Sequence, residues 1–187
     1  MGVDALVDRL REIVGDDGLV TDPVGRLTYE SDALTHLRIE PGAVVLPESV
    51  KQVQDVVRLC YATNVPFVAR GHGTGLSGGA LPTSEGVLIA LTRLNKILEV
   101  DAENFQMTVE PGVTNLEISR CVEKLGLYYA PDPSSQQVCS IGGNVAENSG
   151  GAHCLKYGFT VHHVMALEVV LPDGELMRIG GKSVDTP

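Results

Sequence analysis

Residues 70–79 read RGHGTGLSGG, five glycines in ten positions, directly after the apolar run VPFVA. Ordered glycine loses more conformational freedom than any other residue, so such a cluster marks backbone that must approach something closely. Gly73-Thr74-Gly75-Leu76-Ser77-Gly78 fits the G-x-G-x-x-G spacing of a dinucleotide-binding turn. That turn must open a helix whose N-terminus receives a pyrophosphate. Only ALPTSE separates Gly79 from the next apolar run, and Pro82 lies inside it, so no helix fits. The chain must therefore run strand, helix-free glycine loop, strand. Successive glycine N–H groups can still form a concave anion receptor, with the Thr74 and Ser77 hydroxyls as further donors and Arg70 as a cation at the mouth. A glycine-rich turn between two strands is the plainer reading, but a turn needs one or two glycines.

Periodicity supplies the flanking elements. Leu6, Val7, Leu10, Ile13 and Val14 predict a helix over 4–14. GAVVLP (42–47) predicts a strand. SVKQVQDVVRLCYATN (49–64) predicts a helix with a Ser49/Gln52 capping box and an apolar face of Val50, Val53, Val56, Val57 and Cys60. PFVAR (66–70) closes a right-handed parallel βαβ unit over 43–70. Strands are expected at 86–91, 96–100, 105–110 and 127–130, and a helix with a Thr114/Glu117 capping box over 114–126. A hairpin is expected over 164–179, turning at Pro172-Asp173-Gly174. The 187 residues suit one domain, α+β in class, with an N-terminal parallel βαβ subdomain (1–110) and part of a second, mostly antiparallel α+β subdomain (111–187).

The formal net charge of −10 argues against nucleic acid as a partner, and an anionic ligand would have to be held locally by backbone N–H groups. No run is apolar and long enough for a signal peptide or a membrane span, which points to a cytoplasmic protein. The cysteines at 60, 121, 139 and 154 form no CxxC pair, so neither a cluster nor a zinc site is expected. Cys60 and Cys121 fall on apolar helix faces and read as buried thiols. His162 and His163, adjacent on an expected strand, point to opposite faces and make no chelate; no metal ligand is assigned. Glu99, Asp101 and Glu103 read as a solvated corner.

A second glycine-rich segment, APDPSSQQVCSIGGNVAENSGGAHCLKYG (130–158), is long for a loop without periodicity, and such loops tend to be functional or disordered. Ile141, Val145, Leu155 and Tyr157 can anchor it. Small residues and the Asn144 and Asn148 amides offer a wall for a flat ligand. RGHGTGLSGG, EPGV (110–113), YYAPDPSSQ, CSIGGNVAENSGG and HCLKYG, in this order and spacing, resemble the FAD domain of vanillyl-alcohol oxidase or PCMH-type flavoproteins. Within that superfamily they are most similar to the bacterial glycolate oxidase FAD subunits and their D-lactate and D-2-hydroxyglutarate dehydrogenase relatives. The resemblance runs from about YESDAL (29–34) to the end of the chain.

The resemblance implies roles. Gly71, His72, Gly73, Thr74, Gly75, Leu76 and Ser77 would wrap the FAD pyrophosphate, with Arg70 beside them. Pro131, Asp132, Ser134 and Ser135, then Cys139, Ser140, Ile141, Gly142 and Gly143, would run beside the isoalloxazine and ribityl chain. Asn148, Ser149, Gly150, Gly151 and Gly158 would complete the flavin wall. Some relatives attach FAD through a histidine where this chain has Thr74, so noncovalent FAD is expected. The family continues into further strands and a substrate-binding cap domain, so the chain reads as an incomplete FAD domain, with its catalytic residues unassigned and turnover by this chain alone not expected. The implied reaction is oxidation of a 2-hydroxy acid such as glycolate or D-lactate by hydride transfer to flavin N5. The implied partners are a second FAD-type subunit and an iron–sulfur subunit, through which the protein could sit at the inner face of a membrane. Two other readings stand beside it: a noncatalytic module acting in subunit interaction, and a binder of another nucleotide.

Overall fold

The computed structural model describes residues 3–183, so the outermost residues of the expected domain, 1–2 and 184–187, lie outside the described residues. The chain divides into two compact units. The first runs to Arg93 and includes Glu168–Met177; the second holds Leu94–Leu167 and the residues from Arg178 onward. The antiparallel pair at 97–109 belongs to the second unit.

The first unit is a four-stranded sheet ordered β1-β2-β4-β3, made of β1 (Leu19–Val20), β2 (Ala43–Val45), β3 (Phe67–Arg70) and β4 (Val87–Ala90). β4 is parallel to both β2 and β3, while β1 is antiparallel to β2. The expected βαβ unit is present, but its two strands are not neighbours, because β4 inserts between them. Short-range pattern cannot reveal such an insertion.

Strand β2 is buried at every residue, as is β4, which is why both read as unbroken apolar runs. Ala43, Val45, Val87 and Ile89 face a cluster with Leu6, Leu10, Val56, Val57 and Cys60, contributed by helix α1 (Val7–Val14), the 3-10 turn before it (Val3–Leu6) and helix α3 (Val50–Thr63). Val44, Leu88 and Ala90 pack on the other face with Val20, Tyr29, Leu46 and Val68. A five-residue helix, α2 (Pro23–Leu27), is capped by Asp22 and was not legible in the pattern.

Ser49 caps α3 by accepting from Gln52 N at 3.2 Å, but the Gln52 side chain accepts from Glu48 N at 2.7 Å, one residue upstream of the expected box. The Cys60 thiol is fully buried, and burial pushes its pKa up to about 11.

The second unit pairs β5 (Ile97–Asp101) with β6 (Gln106–Val109), antiparallel and irregular between Ile97 and Glu99. Helix α4 (Asn115–Val122) carries the full Thr114/Glu117 capping box and ends in a 3-10 turn, Glu123–Leu125. Three expectations fail here. Residues 127–130 form no strand, because the Tyr129 N–H is donated to the Ser119 hydroxyl of α4 rather than to a ladder. His162 and His163 lie in a 3-10 turn, Thr160–His163, and not on a strand. Cys121 is exposed, since the buried positions of α4 are Asn115, Ile118 and Val122.

The segment after 130 contains two short helices, α5 (Ile141–Glu147) and α6 (Cys154–Tyr157). β7 (Ala166–Val170) and β8 (Leu176–Gly180) form the expected hairpin. In its turn Gly174 takes φ +84°, and a side chain there would meet Gln54 and Arg58 of α3.

Candidate functional site

The first glycine loop leaves β3 at Arg70 and stays free of helix through Ala80. Gly73 and Gly78 hold φ of +72° and +78°, a region that side chains disfavour. Gly71 to Gly75 are half-buried, whereas Leu76 and Ser77 form an exposed tip. Among the described residues the backbone N–H groups of Gly73, Thr74, Gly75 and Leu76 donate no hydrogen bond. Buried backbone donors are almost always satisfied, so the half-buried amides of Gly73, Thr74 and Gly75 stand out, while that of Leu76 lies at the exposed tip. They are donors open to an outside acceptor.

Arg70 is not at the mouth of this loop. It is 8% exposed, and its Nη1 donates to Ser31 O at 2.8 Å and to Ala80 O at 3.4 Å. Its guanidinium lies against Gly73, where any Cβ would overlap it, and 5.9 Å from the centre of the Tyr29 ring. Burial lowers the Arg70 pKa from its ordinary value, and the charge of buried Asp32 opposes that shift. The guanidinium remains charged.

The second segment, in its own unit, is built on buried amides. Asn115 is fully buried at the start of α4, and its Nδ2 donates to Pro131 O at 2.9 Å. Asn144 of α5 donates to Asn115 Oδ1 at 3.0 Å, so Pro131, α4 and α5 hang on one chain of amides. Backbone N–H groups of Asn115 and Leu116 donate to the carbonyls of Cys139 and Gln136, and those of Ile141 and Gly142 donate to Val113 and Pro111. Cys139 and Ser140 are buried as a result, and Ser140 caps α5. Gly142 lies flat on Pro111, and Gly150 on the Phe159 ring; neither leaves room for a Cβ.

Asp132 is tied to the next turn. Its Oδ1 accepts from His153 N at 3.1 Å, its Oδ2 lies 2.6 Å from His153 Nδ1, and Gly151 packs against it. Asn148 ends α5 at φ +50° and accepts from Val161 N at 3.0 Å, while Ser149 O accepts from both N and Oγ1 of Thr160. Gly158, at φ +85°, sits beneath the His162 ring. The structure thus joins Pro131, Asp132, Cys139, Ser140, Gly142 and Gly151 in one network, and leaves Ser134 and Ser135 in a turn beside it.

Other titratable groups stand apart. The Tyr129 phenol is raised by burial, with a Thr160 hydrogen bond working against it. Glu110 accepts from Lys96 N at 2.8 Å, a bond at the end of β6 rather than a free base. His162 and His163 turn to different partners, Phe159 N and Tyr157 O.

Residues 41–180 match the family described as FAD binding domain. The chain belongs to that family. It is 51% identical over 161 residues to the glycolate oxidase subunit GlcD of Escherichia coli K12, covering 86% of this chain and 32% of that protein. It is 37% identical over 175 residues to a D-lactate dehydrogenase of Anaerostipes hadrus, covering 94% and 37%. Among solved structures it superposes on p-cresol methylhydroxylase with a TM-score of 0.80 at 25% identity, covering 94% of this chain and 35% of the other. The fold is therefore the α+β, PCMH-type FAD-binding fold, and the cofactor is FAD. The chain spans about a third of the length of the curated relatives it matches.

The residues present fit FAD. A cofactor with a pyrophosphate needs unbonded donors, which the amides of 73–76 supply. Sequence reasoning missed Asn115, Tyr29, Asp32 and His153, all of which shape the two segments. Asn115 carried a signal: it is the one amide on the inward side of an otherwise apolar helix face.

Proposed function

We propose that this chain is the FAD-holding part of a 2-hydroxy-acid oxidoreductase. The observation that carries this reading is the run of unbonded amides at Gly73–Leu76. In it, the amides of Gly71–Ser77 and the Thr74 and Ser77 hydroxyls bind the pyrophosphate noncovalently, while Pro131–Ser135, Cys139–Gly143, Asn148–Gly151 and Gly158 take the flavin and ribityl portions. When bound, FAD supplies a hydride acceptor at flavin N5 for the α-carbon of a glycolate- or D-lactate-like substrate. The chain's own residues bind and orient. The amide network through Asn115 fixes Pro131, and the Asp132–His153 bond fixes the following turn, so that neither has to be ordered by the cofactor.

Electrons would then leave to a partner acceptor, an iron–sulfur subunit beside a second FAD-type subunit. The E. coli relative's description as a subunit supports an assembly. None of the helices among the described residues is long and apolar enough to cross a membrane, so any placement at a membrane's inner face would run through such partners.

The test is the absorbance spectrum of the purified 187-residue chain, followed by titration with FAD. Flavin bands at about one FAD per chain, or saturable quenching of flavin fluorescence on addition, is the expected result. A colourless chain that leaves FAD fluorescence unchanged overturns the proposal. ADP binding without discrimination in favour of FAD would instead mark a general nucleotide site.

A further inference from the structure

We propose that Arg70 is a positioning residue for phosphate recognition: its buried guanidinium braces the glycine loop from beneath and holds the amides of Gly73–Leu76 in the shape that receives an anion, without touching the ligand. The inference rests on the FAD reading above.

Burying a guanidinium is costly unless it is hydrogen-bonded, and here Nη1 takes its two acceptors from the two sides the loop must keep apart. One is Ser31 O, at 2.8 Å, in the segment that also carries Tyr29 and Asp32. The other is Ala80 O, at 3.4 Å, where the loop ends. Between them the guanidinium fills the space under Gly73 that a Cβ would need. The two residues therefore fit as a pair: glycine at 73 leaves room for arginine at 70, and arginine keeps residue 73 at φ +72°.

Asp32 completes the brace. It is 5% exposed, its Oδ1 accepts from Leu34 N at 2.8 Å, and its Oδ2 has no hydrogen-bond partner among the described residues. Its charge favours the charged guanidinium from beyond ion-pair distance. A fixed cation behind unbonded N–H groups also strengthens their field toward an anion, because nothing reorganises when the ligand arrives. Both carbonyls accept from Nη1, one arm of the planar group, and lysine would keep the charge but lose the rigid plane that sets that arm between them.

The test compares the wild-type 187-residue chain with R70K and R70M, well below the unfolding midpoint of each. FAD affinity is measured by calorimetry, the pyrophosphate environment by phosphorus NMR of bound FAD, and the ring environment by the visible spectrum. The expected result is an affinity loss of roughly 10–100-fold in both variants, the effect of one or two charge-assisted hydrogen bonds. The phosphorus resonances should move in R70K while the flavin band keeps its wild-type shape. Affinity within about threefold of wild type in R70K, with unmoved phosphorus resonances, overturns the proposal. So does a loss accompanied by an equally altered flavin band, which would mark general distortion. If R70M does not fold, R70K alone decides. A wild-type chain with no affinity for FAD refutes the underlying reading and the inference with it, whereas failure confined to the variants refutes only the inference.

Discussion

Gly73→Ala is the sharpest probe of how the glycine loop is built. Gly73 sits at φ +72°, which costs an L-residue about 1–2 kcal/mol. A Cβ there would also lie 2.5 Å from Arg70 Cζ and 2.9 Å from Nε, so the guanidinium must leave. Displacement breaks the 2.8 Å bond to Ser31 O, a charge-assisted bond of about 1.5–3 kcal/mol. The sum is about 4 kcal/mol, a large share of a typical domain stability of about 5–15 kcal/mol. Arg70→Ala removes the same bond and should cost about 3 kcal/mol. In the double variant the steric part of the glycine substitution vanishes, leaving only the backbone part of about 1–2 kcal/mol. Urea unfolding followed by circular dichroism should therefore show the pair to be less damaging than the sum, by about 2 kcal/mol. Additivity within about 0.5 kcal/mol would refute the claim that Gly73 is glycine because Arg70 lies beneath it.

Three further outcomes are expected in other parts of the molecule. Asn115→Leu leaves Pro131 O and the Asn144 amide buried without their partner and should lower stability by about 2–4 kcal/mol, read as a drop in the urea midpoint. Iodoacetamide at pH 8 should label exposed Cys121 readily and spare Cys60, whose pKa of about 11 leaves about one thiolate in a thousand; mass spectrometry of the peptides reads both. The Tyr157 phenol is held below its ordinary pKa, first by a hydrogen bond from Tyr128 and then by Lys156, so Tyr128→Phe should raise its titration midpoint in ultraviolet difference spectra. An unmoved or lowered midpoint would show that Tyr128 does not stabilise the phenolate.

The elements that the sequence announced are those whose cause is local. The Thr114/Glu117 box closes within one turn of helix, and the buried strands β2 and β4 read as apolar runs because both of their faces are covered. What stayed hidden depends on distant partners. β4 could be recognised as a strand, but its insertion between β2 and β3 is a property of pairing across the sheet. Residues 127–130 have strand-like composition, yet the Ser119 hydroxyl captures the Tyr129 N–H, and a polar side chain 10 positions away leaves no periodic trace. Cys121 was misplaced for a related reason: in α4 a polar residue, Asn115, occupies the inner face, so apolar pattern alone rotates the helix wrongly.

The glycine loop shows the same divide inside a single site. Its helix-free course was legible, because glycine density and the lack of room for a helix are facts of the sequence. The role of Arg70 was not. A cation beside a glycine loop in a chain of net charge −10 invites the view that it meets the anion directly. The structure commits that charge to two carbonyls, and in the reading proposed above recognition falls to backbone N–H groups. This arrangement has a physical advantage. Amides donate from a fixed backbone and lose no side-chain freedom on binding, whereas an exposed arginine must be immobilised each time. Placing the arginine underneath orders it during folding, so the entropy loss falls on the stability of the first unit rather than on the affinity for the ligand. Substitutions at residue 70 should accordingly lower the apo chain's unfolding midpoint as well as its affinity, and a variant that loses affinity with no change in that midpoint would place Arg70 at the ligand after all.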